Sequence, residues 1–170
     1  MKFVSIKEAM KKGSGKVSIR GWVYRERGSN KVKFLVLRDA EETIQCVIKK
    51  EKFPDDKFKE ADKIQVECSM EITGTIKPDK RAPTGFEIDV DEFMVVGWCD
   101  NYPITKDQSS EFLLDNRHLW LRSRRMNAIL RIRSTYVNAR EEFFKKKEFY
   151  KFDPPILQPT QSEGGSTLFE

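Results

Sequence analysis

Histidine is nearly absent from this chain and cysteine is scarce: His118 stands alone, and Cys46, Cys68 and Cys99 form no C-x-x-C pair. A lone histidine excludes every metal site built on a histidine pair. Three widely spaced cysteines fit a reducing cytosol better than a disulfide scaffold, and they read as small buried apolar residues. Long apolar runs are missing too. None approaches the roughly 18–20 residues that a membrane-spanning helix needs, and the first residues, MKFVSIKEAMKK, lack the apolar core of a secretory signal. The expectation is a cytoplasmic protein with no membrane partner.

Charge is abundant. It makes up 35% of the 170 residues, with a net value of +5, and it is unevenly distributed. Residues 1–38 carry 11 basic and 2 acidic groups, residues 39–116 carry 10 and 19, and residues 117–147 carry 10 and 2. Two basic blocks on either side of an acidic middle offer a polyanion two landing surfaces. The plainer alternative is that these cations only solvate exposed faces.

The first hundred residues read as a small barrel. Ser5 and Glu8 have capping-box spacing and Gly13 closes a lead-in helix over residues 6–12. Alternation then predicts strands at 16–24, 32–38 and 43–49, with Gly28-Ser29-Asn30 turning the first into the second. Phe53-Pro54-Asp55-Asp56 starts a helix of about two turns ending near Ala61. Ile64, Val66, Cys68, Met70 and Ile72 predict a fourth strand beginning at residue 64, and Phe86, Ile88 and Val90 a fifth that continues towards Trp98.

Five strands with a helix between the third and fourth is the element order of an OB-fold, which binds oligonucleotides across its strand 2–3 face and neighbouring loops. Phe34 lies on the face opposite Leu35 and Leu37, with Arg25, Arg27, Lys31 and Lys33 expected around it. An aromatic platform among cations suits single-stranded nucleic acid; packing of Phe34 against the lead-in helix is the alternative. Gln45 and Glu87 carry amide and carboxylate groups that can read base edges or simply be solvated.

Beyond residue 99 a linker region over 100–121 is expected, with a helical turn at Ser109 to Leu114, and then a second domain over 122–170. Ser123 caps a long helix in which Met126, Ile129, Leu130, Tyr136, Val137, Phe143 and Phe144 recur at helical spacing. Phe149 to Phe152 read as an extended strand, bent or ended by Asp153-Pro154-Pro155. One helix and one strand cannot close a core, so this part is expected to open a larger domain.

Several segments together carry a family resemblance: Gly21-Trp22-Val23-Tyr24-Arg25, Phe34 to Asp39, Asn116 to Arg122, and Phe149 to Leu157. The chain resembles the start of a class II aminoacyl-tRNA synthetase of the aspartyl/asparaginyl/lysyl subgroup, and Phe149 to Leu157 match that family's motif 1. Asp153 to Leu157 and Pro159 to Phe169 look like the asparaginyl branch, since an archaeal-type aspartyl enzyme usually shows Thr-Glu-Gly-Gly-Thr-Glu in the last segment.

The resemblance implies an anticodon-binding OB domain followed by the start of the catalytic domain. It implies that Phe34 stacks on an anticodon base of tRNA(Asn), that Gln45 and Glu87 contact the central U and its neighbours, and that Arg25 and Arg27 are nearby polar or phosphate partners. It further implies a homodimer through motif 1, with Pro155 and Phe149, and an amino-acid loop with Ser162 and Glu163. ATP and Mg2+ would serve the parent reaction, but neither a Phe-Arg-x-Glu nor a Gly-x-Gly-x-x-Arg sequence occurs here. The 170 residues alone are therefore expected not to form adenylate. A free-standing RNA-binding module and an aspartyl enzyme with relaxed tRNA choice are the alternatives. One departure is visible: the family usually has Gly before the motif 1 aromatic, where this chain has Glu148.

Overall fold

Ser5 caps helix α1 (Ile6–Lys12) as its spacing predicts: its hydroxyl accepts from the Glu8 N–H, the Glu8 carboxylate reaches back to the Ser5 N–H, and Gly13 closes the helix at φ 72°. The computed structural model describes residues 2–156. Asp39 ties the α1 start to the turn after strand 2, its carboxylate accepting from the N–H groups of Ile6 (2.7 Å), Glu41 and Glu42.

Strands β1 (Gly15–Ser29), β2 (Val32–Arg38), β3 (Thr43–Lys49), β4 (Ser69–Pro78) and β5 (Phe86–Gly97) close a barrel in the order β1-β2-β3-β5-β4. Helix α2 (Asp55–Asp62) connects β3 to β4, after a 3-10 turn at Lys50–Lys52. β1 is long enough to serve both sides: Gly15 to Trp22 pair with β4, and Trp22 to Ser29 pair with β2 past a bulge at Tyr24. The turn to β2 is tighter than the Gly28-Ser29-Asn30 reading, because Ser29 already pairs with Val32.

Inward residues Ile19, Val23, Leu35, Leu37, Ile44, Cys46, Ile48, Met70, Ile72 and Ile88 fill the barrel, joined by Ile6 and Ala9 of α1 and by Phe58 and Ala61 of α2. Burial pushes the Cys46 thiol well up, as expected of a packing cysteine. Two glycines mark close backbone approach. A Cβ on Gly21 would stand 2.3 Å from the Arg38 carbonyl oxygen, and one on Gly74 2.3 Å from that of Asp89.

Two expectations need correction. The alternation from Ile64 predicted strand, but residues 64–68 form a turn and β4 starts at Ser69. The chain turns because Glu67 adopts φ 68°, donates its N–H to the Val23 carbonyl at 2.7 Å, and places its carboxylate 3.0 Å from the Arg38 guanidinium. Lys33 does not surround Phe34. It shares the inward parity of Leu35, is buried, and pairs with Glu26.

The chain divides into two compact units between Thr105 and Lys106. The second unit carries α3 (Ser110–Asp115), α4 (Arg117–Trp120) and the 23-residue α5 (Arg124–Lys146), with Ser109 and Ser123 as side-chain caps. Much of the α5 apolar stripe is exposed, including Ile129, Leu130, Tyr136, Phe143 and Phe144. Residues 149–152, read as an extended strand, lie outside regular structure and have no ladder partner among the described residues. A strand requires a ladder, and Pro154 and Pro155 bring no N–H to one.

Glu148 takes a left-handed turn where the resemblance leads one to expect glycine. It sits at φ 64°, its N–H donates to the Lys145 carbonyl, the Phe149 N–H donates to the Phe144 carbonyl, and the two phenyl rings meet edge-on at 5.5 Å. That is a Schellman closure with its accompanying apolar contact, and its left-handed position favours glycine. Glu148→Gly is expected to stabilise this helix end by about 1 kcal/mol. A lower thermal midpoint for the variant would contradict the assignment.

Candidate nucleic-acid interface

The antiparallel and parallel ladders bring two rows of side chains across the outer face of the barrel. One row runs Arg25, Val36, Gln45, Glu87, Lys77, and the next runs Arg27, Phe34, Val47, Asp89, Thr75. Phe34 therefore stands outside the wall, whereas α1 feeds Ile6 and Ala9 into the interior core. Its partner is cationic: the Arg27 guanidinium lies over its ring, 4.9 Å from the centroid. A base that stacks on that ring face takes the guanidinium's place.

From Arg27 a chain of polar contacts crosses the face. The Gln45 Oε1 accepts from the Arg27 Nη2 at 3.5 Å, the Gln45 Nε2 donates to the Glu87 Oε2 at 3.1 Å, and the Lys77 Nζ lies 3.0 Å from the Glu87 Oε1. Gln45 and Glu87 are only 5% and 7% exposed. They are thus not loosely solvated side chains. A glutamine amide has two N–H donors and two acceptor lone pairs, and the contacts with Glu87 and Arg27 use one of each. One N–H and one lone pair remain for a base edge.

A second charged group borders the first. Asp89, beside Val47, takes Lys49 at 3.0 Å and Lys52 at 3.0 Å, and Lys52 also reaches Asp91 at 2.9 Å. Burial acts to raise the Asp89 carboxyl, but hydrogen bonds and charge from Lys52 and Lys49 outweigh it and hold the group below its ordinary range. A depressed carboxyl contributes stability above its unfolded value of about 3.9, lost as pH falls through the lower folded value. Below about pH 4 the barrel is expected to lose stability with a slope that Asp89→Asn reduces. Equal acid limbs for the two proteins in urea melts would refute this.

Of the residues singled out in the sequence, Phe34, Gln45, Glu87 and Arg27 come together on one face. Arg25 shares that face, but its guanidinium lies over the Tyr24 ring at 5.5 Å and takes no place in the polar chain. Phe149 packs against Phe144, and Pro155 is exposed in the second unit. Ser162, Glu163 and Leu157 lie outside the described residues. Lys77, which the sequence reads as the start of a loop, lies in β4, and the β4–β5 register brings it to Glu87.

Residues 17–96 match the family model for an OB-fold nucleic acid binding domain, and residues 109–170 match that for class II tRNA synthetases (D, K and N). The asparagine–tRNA ligase of Thermoplasma acidophilum is 50% identical over 155 residues, which are 91% of this chain and 36% of the relative. That of Thermococcus gammatolerans is 44% identical over 91% of the chain. The asparaginyl-tRNA synthetase of Pyrococcus horikoshii, solved with asparaginyl-adenylate, superposes with a TM-score of 0.86 at 34% identity, covering 99% of this chain and 40% of that one. This chain spans little more than a third of the length of the curated relatives it matches. Residues 17–96 thus belong with the OB-fold nucleic acid binding domains and residues 109–170 with the class II tRNA synthetases of the D, K and N type, and over most of its length the chain is similar to asparagine–tRNA ligases.

Proposed function

We propose that the barrel binds the anticodon stem-loop of tRNA(Asn) as part of an asparagine–tRNA ligase, which joins asparagine to tRNA(Asn) with ATP cleaved to AMP and pyrophosphate. The observation that carries the reading is the outer face itself. Phe34 offers a stacking ring under a displaceable guanidinium, and Gln45, next to Glu87, keeps one donor and one acceptor for a base edge. Arg25 and Arg27 supply cations for the phosphates of the same loop.

The exposed apolar stripe of α5, with Phe149 and Pro155 after it, supports motif 1 pairing in a homodimer. Ser162 and Glu163 are assigned to the loop over the amino acid, where a carboxylate would meet the substrate ammonium. ATP and its Mg2+ belong to the catalytic domain of the whole ligase. Among the described residues no group of three His, Cys, Asp or Glu side chains could hold a metal ion, and no step is placed there. A cytoplasmic place follows from the proposed role in translation, and no described helix is long and apolar enough to cross a membrane.

Fluorescence anisotropy with a labelled anticodon stem-loop of tRNA(Asn) tests the reading. Saturable binding that weakens steeply with salt is expected. Equal affinity for a stem-loop of unrelated anticodon would reduce the barrel to a general RNA-binding surface.

A further inference from the structure

The contacts on the outer face form one line to which every strand contributes a residue: Phe34 from β2, Arg27 from β1, Gln45 from β3, Glu87 from β5 and Lys77 from β4. Its chemistry bears on how a glutamine reads pyrimidines. The Watson–Crick edge of U presents the O4 acceptor beside the N3–H donor, and that of C presents the N4–H donor beside the N3 acceptor. A glutamine amide pairs with U in one sense and with C in the other, a half-turn away. An amide free to turn about its last torsion accepts both bases; an amide held in one sense accepts one.

Gln45 is held from both sides. Its oxygen faces the Arg27 guanidinium, which only donates, and its nitrogen faces the Glu87 carboxylate, which when ionised only accepts. Turning the amide would set oxygen against carboxylate and N–H against guanidinium, a buried mismatch on both sides. The weaker of the two holds is the Arg27 contact, at 3.5 Å, so the sense of the amide depends chiefly on Glu87. Glu87 is in turn held at its other oxygen by Lys77, whose side chain is 48% exposed and reaches in from the neighbouring strand.

We propose that Lys77 is a positioning residue for base discrimination: it fixes the Glu87 carboxylate, which fixes the Gln45 amide in one sense, so that the site separates U from C at the anticodon position that Gln45 reads. This rests on the anticodon reading above and extends it to a residue with no base contact of its own.

The test compares stem-loops that differ only in U or C at the central anticodon position, titrated with the 170-residue chain and with Lys77→Met, Lys77→Arg, Glu87→Gln and Lys77→Met/Glu87→Gln. The original protein is expected to prefer one base by about tenfold or more, as a bidentate contact allows. Lys77→Met should compress that ratio to within about threefold while Lys77→Arg retains it. Lys77→Met should change the ratio no further in the Glu87→Gln background, because the effect travels through Glu87. If Lys77→Met weakens both stem-loops by the same factor and lowers the salt slope by about one, Lys77 is a phosphate contact and the inference is overturned. Absence of binding by the original chain would overturn the anticodon reading along with it. Near-UV circular dichroism identifies any variant that has not folded; in that event the Glu87→Gln ratio decides, an unchanged ratio overturning the inference.

Discussion

Replacing Phe34 by alanine is expected to weaken binding of the anticodon stem-loop by about 1–3 kcal/mol, the usual worth of one base stacked on an aromatic ring. The ring stands on the outer face between Arg27 and Val47, so the loss falls where a base would lie. Alanine also removes the seat of the Arg27 guanidinium, and a change in fold must be separated from a change in binding. Phe34→Leu makes that separation. It keeps most of the apolar volume, so the thermal midpoint should shift little, but it removes the π face, so affinity should fall nearly as far as with alanine. Phe34→Tyr and Phe34→Trp keep a stacking surface and should bind well. Because no charge is removed, the slope of affinity against salt should stay the same in all four variants. If Phe34→Leu binds like the original protein, the ring serves packing alone.

Arg38→Met is expected to destabilise the barrel by about 3–5 kcal/mol, the range for breaking a buried ion pair from one side. Glu67 places a carboxylate that is only 5% exposed within 3.0 Å of the Arg38 guanidinium through both oxygens, on a backbone held at φ 68°. The same turn exchanges hydrogen bonds with Val23 beside the β1 bulge, so disturbing it loosens the closure of β1 on β4. Most of the loss is expected to come from the Glu67 charge, which stays buried when the Arg38 guanidinium is removed. Arg38→Met/Glu67→Gly removes that charge and places glycine at a left-handed position. The double variant should therefore be more stable than Arg38→Met alone. Urea melts that rank them in the reverse order would show that the pair does not act in this way.

Much of the barrel was legible because period-two alternation is a local signal. Leu35 and Leu37 against Phe34 and Val36 settle which face of β2 is buried, and Ser5, Glu8 and Gly13 mark α1 by cap chemistry alone. Alternation misled at Ile64 to Cys68, where Ile64 and Cys68 are buried as in a strand but Glu67 takes a left-handed φ and turns the chain. At Lys33 parity outranks charge: the charge suggests the outer face, but the position shares the parity of Leu35 and turns inward, to Glu26. Gln45 and Glu87 were visible as polar residues on outward positions, but not their contact. They are 42 residues apart and meet only through the parallel pairing of β3 with β5. The contact of Lys77 with Glu87 likewise depends on the β4–β5 register. Glu148 illustrates a different limit: side-chain identity argued against a glycine-type turn, and the capping bonds of α5 impose one nonetheless.

The most direct test of the account is an NMR titration of the 170-residue chain with the anticodon stem-loop of tRNA(Asn), followed through backbone amide shifts. The largest changes are expected along the two outer rows, at Arg27, Phe34, Val36, Gln45, Val47 and Glu87, with the inward residues Leu35, Cys46 and Ile88 little moved. Changes concentrated on the basic residues of α5, with those two rows unmoved, would contradict it.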